Sequence, residues 1–209
     1  TKTKHYLSKT LVLVMLMATG SCTFIYKKMA GIHDERSLSE AEHKEYLSDL
    51  GAQSGHYYYA DTSYLRKLFG YYPDTSLHHR IKDYYQPIQV QYYGQSVYPE
   101  FQMINCYAGG FPKLNWNENG RFDQYPPLEG VPSDSIVSFS KLATILKPFG
   151  TAEVAEKASG DTLTVLFYWC RWNFRESKRL HEYVIANLKK SNKPYKILYV
   201  NTDPMLAGE

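Results

Sequence analysis

The stretch from Thr162 to Asn201 constrains this chain most. Residues 162–169, TLTVLFYW, are apolar and β-branched, the composition of a strand. Residues 174–190 place Leu180, Tyr183, Val184 and Leu188 on one side of a helix, with Arg175, Lys178, Arg179, Glu182 and Lys189 largely elsewhere. Residues 195–201, YKILYVN, are apolar again. Strand, helix and strand with short connections form a right-handed βαβ unit, so the two strands run parallel.

The chain before this unit reads differently. SLSEAEHKEYLSDL at 37–50 is a helix that Ser37 or Ser39 can cap and Gly51 can stop. Of 20 tyrosines, 14 lie from Tyr46 to Tyr125. HYYYADTSYLRKLFGYYP suggests a strand and then a short helix from Ser63 to Phe69. Two strands follow at about 88–93 and 100–107, turning at Gly94. In the first, Ile88, Val90 and Tyr92 alternate with Gln89, Gln91 and Tyr93, the pattern of a half-buried strand. Asn119-Gly120 signals a further hairpin. QYPPLEGVPSD at 124–134 is a linker, and a helix from Ser140 to Leu146 follows it. The expected fold class is α+β, with Tyr-rich antiparallel hairpins beside the βαβ unit. The expected divisions are 1–21, 22–54, 55–134 and 135–209.

Tyrosine suits strands by propensity and binding surfaces by its combination of area and hydroxyl. Most of these tyrosines are expected to be structural. The irregular loop YAGGFPKLNW is the exception, with Tyr107, Phe111 and Trp116 as candidates for a binding surface.

Residues 1–22 have the layout of a signal peptide. Lys2, Lys4 and Lys9 precede an apolar run from Leu11 to Met17, and small residues lead to Cys22. The small residues before the cysteine resemble a bacterial lipobox, with Thr19 departing from the usual leucine. The resemblance implies cleavage before Cys22, lipidation there and a membrane tether. An uncleaved anchor from Leu11 to Tyr26 is the alternative, interrupted by Gly20, Ser21 and Cys22. The chain has 24 basic and 21 acidic side chains. Residues 1–21 hold three lysines and no acid, so the remainder is formally neutral. That argues against nucleic acid as a partner.

With Cys22 assigned to lipid, Cys106 and Cys170 remain. An exported compartment permits a disulfide between them, which would close a loop of about 64 residues and stabilise by roughly 4 kcal/mol. Two buried free thiols are the alternative. Neither cysteine has C-x-x-C spacing, and no His/Cys cluster suggests a metal. No G-x-S-x-G, H-E-x-x-H or P-loop appears, and no cofactor is implied.

FYWCRW before the helix and KILYVNTDP after it resemble the central part of thioredoxin-like proteins, over about 138–205. Setting Trp172 on the family tryptophan puts Asn173 and Glu176 where the two cysteines stand. Asn173 then serves as a helix cap and Glu176 suits the first turn. This implies a redox-inactive site. Sliding the alignment to Cys170 leaves a monothiol reading, C-R-W-N, and with it an oxidoreductase or peroxidase-like alternative. The family continues past its third strand to a cis-proline loop, a hairpin and a helix. This sequence stops at Glu209, so either the N-terminal hairpins complete the fold or the sequence is a truncated one.

The early lipobox, CYAGGFPKLNWNENGRF and the stretch at 172–180 resemble small lipoproteins of the Bacteroidetes. Lys27 and Lys28 lack the acidic character of that phylum's surface-export signals, which implies a periplasm-facing lipoprotein. Asp134-Ser135-Ile136 and Asp161-Thr162-Leu163 resemble its O-glycosylation acceptors. The expected function is a non-enzymatic envelope lipoprotein that binds or scaffolds a protein or peptide partner.

Overall fold

The two strands of the βαβ unit lie at the centre of a six-stranded mixed sheet in the structure, a computed structural model that describes residues 27–28, 30–52, 56–131, 136–150 and 154–208. In chain order the elements are α1 (Glu40–Leu50), β1 (Tyr57–Tyr59), α2 (Thr62–Gly70), α3 (His78–Ile81), β2 (Gln89–Tyr93), β3 (Phe101–Ile104), α4 (Asn105–Ala108), α5 (Phe139–Ile145), β4 (Lys147–Pro148), β5 (Leu163–Trp169), α6 (Phe174–Lys190), β6 (Tyr195–Asn201) and α7 (Asp203–Ala207). The strand order is β3-β2-β5-β6-β1-β4. This is an α+β fold.

β5 and β6 pair in parallel, Leu163 opposite Tyr195 through Trp169 opposite Asn201. Their side chains alternate between two cores. Val165, Phe167, Trp169, Ile197 and Tyr199 face a cluster with α1, α6 and Trp116. Leu166, Tyr168, Leu198 and Val200 face a cluster with α2, α5 and Ile81. Both faces of the sheet are covered, as a parallel pair requires. Among the described residues no helix is long and apolar enough to cross a membrane.

The region 55–134 is not a sheet of its own. β1 joins β6 in parallel, and the β2–β3 hairpin joins β5 antiparallel, so both regions share one sheet. Residues 35–209 accordingly form one compact unit. Residues 1–34 form another, in whose described part Lys27 pairs with Asp34 at 3.1 Å. Asn119 and Gly120 do adopt left-handed backbone, but within a 3₁₀ turn rather than a hairpin. The flanking residues explain this: Trp116 and Phe122 are drawn into the core, where Phe122 stacks on Tyr183.

The strand β2 is buried on both faces, not one. Its glutamines form a network with one another. Gln91 Nε2 donates to Gln89 Oε1 at 3.0 Å, Gln102 Nε2 donates to the same oxygen at 3.2 Å, and Tyr93 Oη donates to Gln91 Oε1 at 2.7 Å. Gln89 Nε2 and Gln102 Nε2 also reach the backbone carbonyls of Tyr84 and Asp83. The polar stripe that resembles a wet face is closed by the segment around Tyr84. Most of the tyrosines here are structural: Tyr58, Tyr64, Tyr84, Tyr92 and Tyr93 are all buried.

Gln91→Leu should therefore destabilise by about 1–3 kcal/mol, because it orphans the buried Tyr93 hydroxyl. Adding Tyr93→Phe should recover most of that loss. Denaturant melts of the single and double variants check both, and a double variant no more stable than the single would count against the network.

Candidate functional site

The carboxyl ends of the parallel strands β5 and β6 carry the turn into α6, where the thioredoxin-like resemblance places its reactive residues. This end of a parallel sheet is where such folds usually bind ligands. The turn is held from the start of α7. Asp203 accepts from Arg171 N at 2.7 Å, Trp172 N at 3.1 Å and Asn201 Nδ2 at 2.8 Å. Burial raises its carboxyl pKa, and those three hydrogen bonds work against the rise. Thr202 N completes the join, donating to Trp169 O at 2.9 Å.

Cys170 follows Trp169 and is 0 % exposed. Burial first, and the neighbouring Asp203 second, push its thiol pKa up. A reactive thiol needs the opposite environment. Cys106 lies in α4 and is exposed, its thiol donating to Gln86 Oε1 at 3.0 Å. The two cysteines are unbonded, which corrects the possible disulfide: one sits in the core at the end of β5, the other at the surface beyond β3.

Asn173 stands at the cap position of α6 but does not cap it. Its φ of −132° and ψ of 60° leave the extended backbone that a capping side chain needs. By contrast, Ser39 caps α1 from φ −65° and ψ 162°, with Glu42 completing a capping box. The Asn173 amide is buried, and neither its Nδ2 nor its Oδ1 has a partner.

Glu176 is in the first turn of α6, as its position predicts, yet it serves a loop rather than its own helix. Its Oε2 accepts from Leu114 N at 3.0 Å and from Arg179 at 2.6 Å. That bond fastens the aromatic loop. Gly109 and Gly110 both have positive φ, and a Cβ on Gly110 would meet Lys113 O at 2.8 Å, so glycine is required there. Tyr107 and Phe111 project outward, 46 % and 51 % exposed. Phe111 lies nearly parallel to the half-buried Trp172, ring centres 6.4 Å apart. Arg121 reaches to 5.5 Å above the Tyr107 ring while donating to Trp116 O at 3.0 Å. Trp116 is fully buried, so it anchors the loop and is not part of its surface. Cys22 lies outside the described residues.

A cleft of about 330 Å³ opens beside this corner, bordered by Ser37, His43, Asp61 and Asn201. In the sequence His43 looks like one more polar residue of α1. The available signal was its register: it shares a stripe with Leu47 and Leu50, four and seven residues on, and all three are buried. Among the described residues no cluster of His, Cys, Asp or Glu could hold a metal ion. No family model, curated protein or solved structure matches this chain.

Burial lowers the pKa of both His43 and His181 to about 4. In the unfolded chain each lies near 6.5. As the pH falls, the unfolded state therefore takes up protons first. The stability present above pH 6.5 is lost progressively toward pH 4, on the order of a few kcal/mol for the pair. Thermal melts at pH 7.0, 5.5 and 4.5 should show this loss, and the double variant His43→Phe, His181→Gln should flatten it.

Proposed function

We propose that this chain is a lipid-tethered envelope protein, facing the periplasm, that binds a protein or peptide partner through a redox-inactive thioredoxin-like domain. The tether is Cys22, following a signal peptide at 1–21. The basic start, the short apolar run and the small residues before Cys22 support it.

Support for the thioredoxin-like reading comes from the sheet. β5, α6 and β6 form the βαβ unit, and the β2–β3 hairpin pairs antiparallel with the other side of β5. The family carries a hairpin after its third strand. Here a hairpin precedes the unit in sequence and completes the sheet from the other direction.

One observation carries the redox-inactive reading: the thiol nearest the helix start, Cys170, is sealed in the core with its pKa raised, and Asn173 and Glu176 fill the positions where exchange needs sulfur. A binding role is supported by the loop bearing Tyr107 and Phe111. It is fastened to α6 through Glu176, so its exposed aromatics lose little freedom on engaging a partner.

Native full-length protein treated with a thiol reagent near pH 8 should label Cys106 quickly. Cys170 should label only on unfolding, and added reductant should change neither. Rapid native labelling of Cys170 would restore the oxidoreductase reading. In cells, Cys22→Ala should move the chain from the membrane fraction to the soluble one. A photo-crosslinker at Phe111 should give a discrete adduct that one at the exposed Val154 does not; equal adducts, or none, would remove the binding loop.

A further inference from the structure

The cleft bordered by His43 has features that neither the fold nor the aromatic loop uses. His43 is 2 % exposed, and neither Nδ1 nor Nε2 has a hydrogen-bond partner. Its ring is fixed, stacked on Phe149 with centres 3.9 Å apart and planes at 19°, and 5.3 Å from Trp169. The Ser37 hydroxyl, on the same cleft, is also buried without a partner. Buried polar atoms of this kind are costly and uncommon, and convergence on one cavity marks a site. Leu38, Phe149 and Pro204 supply apolar wall.

The charges of the cleft are already committed. Asp61 caps α2, its Oδ1 accepting from Ser63 N at 2.9 Å and Tyr64 N at 3.2 Å, while its Oδ2 pairs with Lys147. The imidazole is neutral near pH 7, so it offers one N–H and one lone pair. A charged occupant would lose its hydration here and gain no counter-ion. An uncharged one with a donor and an acceptor would satisfy the imidazole and the Ser37 hydroxyl.

We propose that this cleft binds a small uncharged ligand carrying both a hydrogen-bond donor and an acceptor on an apolar body, a carboxamide being the simplest such group. The volume of about 330 Å³ falls at the small end of ligand sites. The site is independent of the partner surface on the aromatic loop, so either can fail alone.

The test uses three probes of one shape: benzamide, benzoate and benzamidine. Each is titrated into the ¹⁵N-labelled full chain at pH 7 while the histidine ring resonances are followed. Benzamide should shift the His43 signals saturably, with a Kd on the order of 1 mM for a fragment of its size. Benzoate and benzamidine should bind at least tenfold more weakly. His43→Phe keeps the stacked ring and should weaken benzamide at least tenfold; should that variant unfold, Ser37→Ala takes its place, with a several-fold loss expected. Binding of either ion as tight as that of benzamide overturns the proposal. So does the absence of any His43 shift, or undiminished binding by the folded variant.

Discussion

The parallel pairing of β5 and β6 dictates the rest of the structure. Parallel strands cannot be joined by a tight turn, so α6 must cross one face between them. Each strand is apolar on both sides: Phe167 and Trp169 point one way, Leu166 and Tyr168 the other. A single crossover helix covers only one face. The second face is covered by α2 and α5, and the open side of β5 by β2. The long Tyr-rich region before the unit is therefore its cover and its edges, not an independent domain. β4 ends the sheet at its other edge with Pro148, a residue that suits an outermost strand.

The same geometry gathers the turns after β5 and β6 at one end, where Asp203 binds the first of them through two backbone amides. The first turn of α6 is equally occupied, since Glu176 reaches across to Leu114. A carboxylate with a backbone donor and an arginine is satisfied on one oxygen and holds a loop that would otherwise be a flexible glycine-rich excursion. Glu176, at one of the two positions where sulfur chemistry would need a thiol, thus acts as a fastener, while the Asn173 side chain bonds to nothing.

Legibility from sequence follows the range of the interactions involved. The bounds of α6 and β6, 174–190 and 195–201, are readable because periodicity and composition are local. The capping of α1 by Ser39 is local too. What fails depends on distant partners. Gln89 and Gln91 look solvent-facing because alternation within the strand does not reveal that the chain just before it folds back over them at Tyr84, or that Gln102 of the next strand bonds to Gln89. Asn119-Gly120 makes its turn, yet Trp116 and Phe122 turn inward instead of pairing as strands. Asn173 has the right side chain for a cap but the wrong backbone angles, set by the turn that Asp203 holds. Trp116 looks like part of a binding surface because its burial in the core is a tertiary fact. The parallel direction of β1 was hidden because three tyrosines carry no sign of orientation.

Buried polar groups on this sheet are of two kinds. The Gln89, Gln91 and Gln102 network fills its hydrogen-bonding capacity internally, as a purely structural polar cluster should. Single unfilled atoms occur elsewhere, at Tyr92 and Asn187. Among the described residues only His43 and Asn173 leave two side-chain atoms each without partners, and both lie at the carboxyl end of β5. Each unfilled buried group costs about 1–3 kcal/mol. Of the two, His43 borders the cleft together with the unpartnered Ser37 hydroxyl, which makes the cleft, rather than the buried thiol of Cys170, the chemically distinctive feature of this end of the molecule.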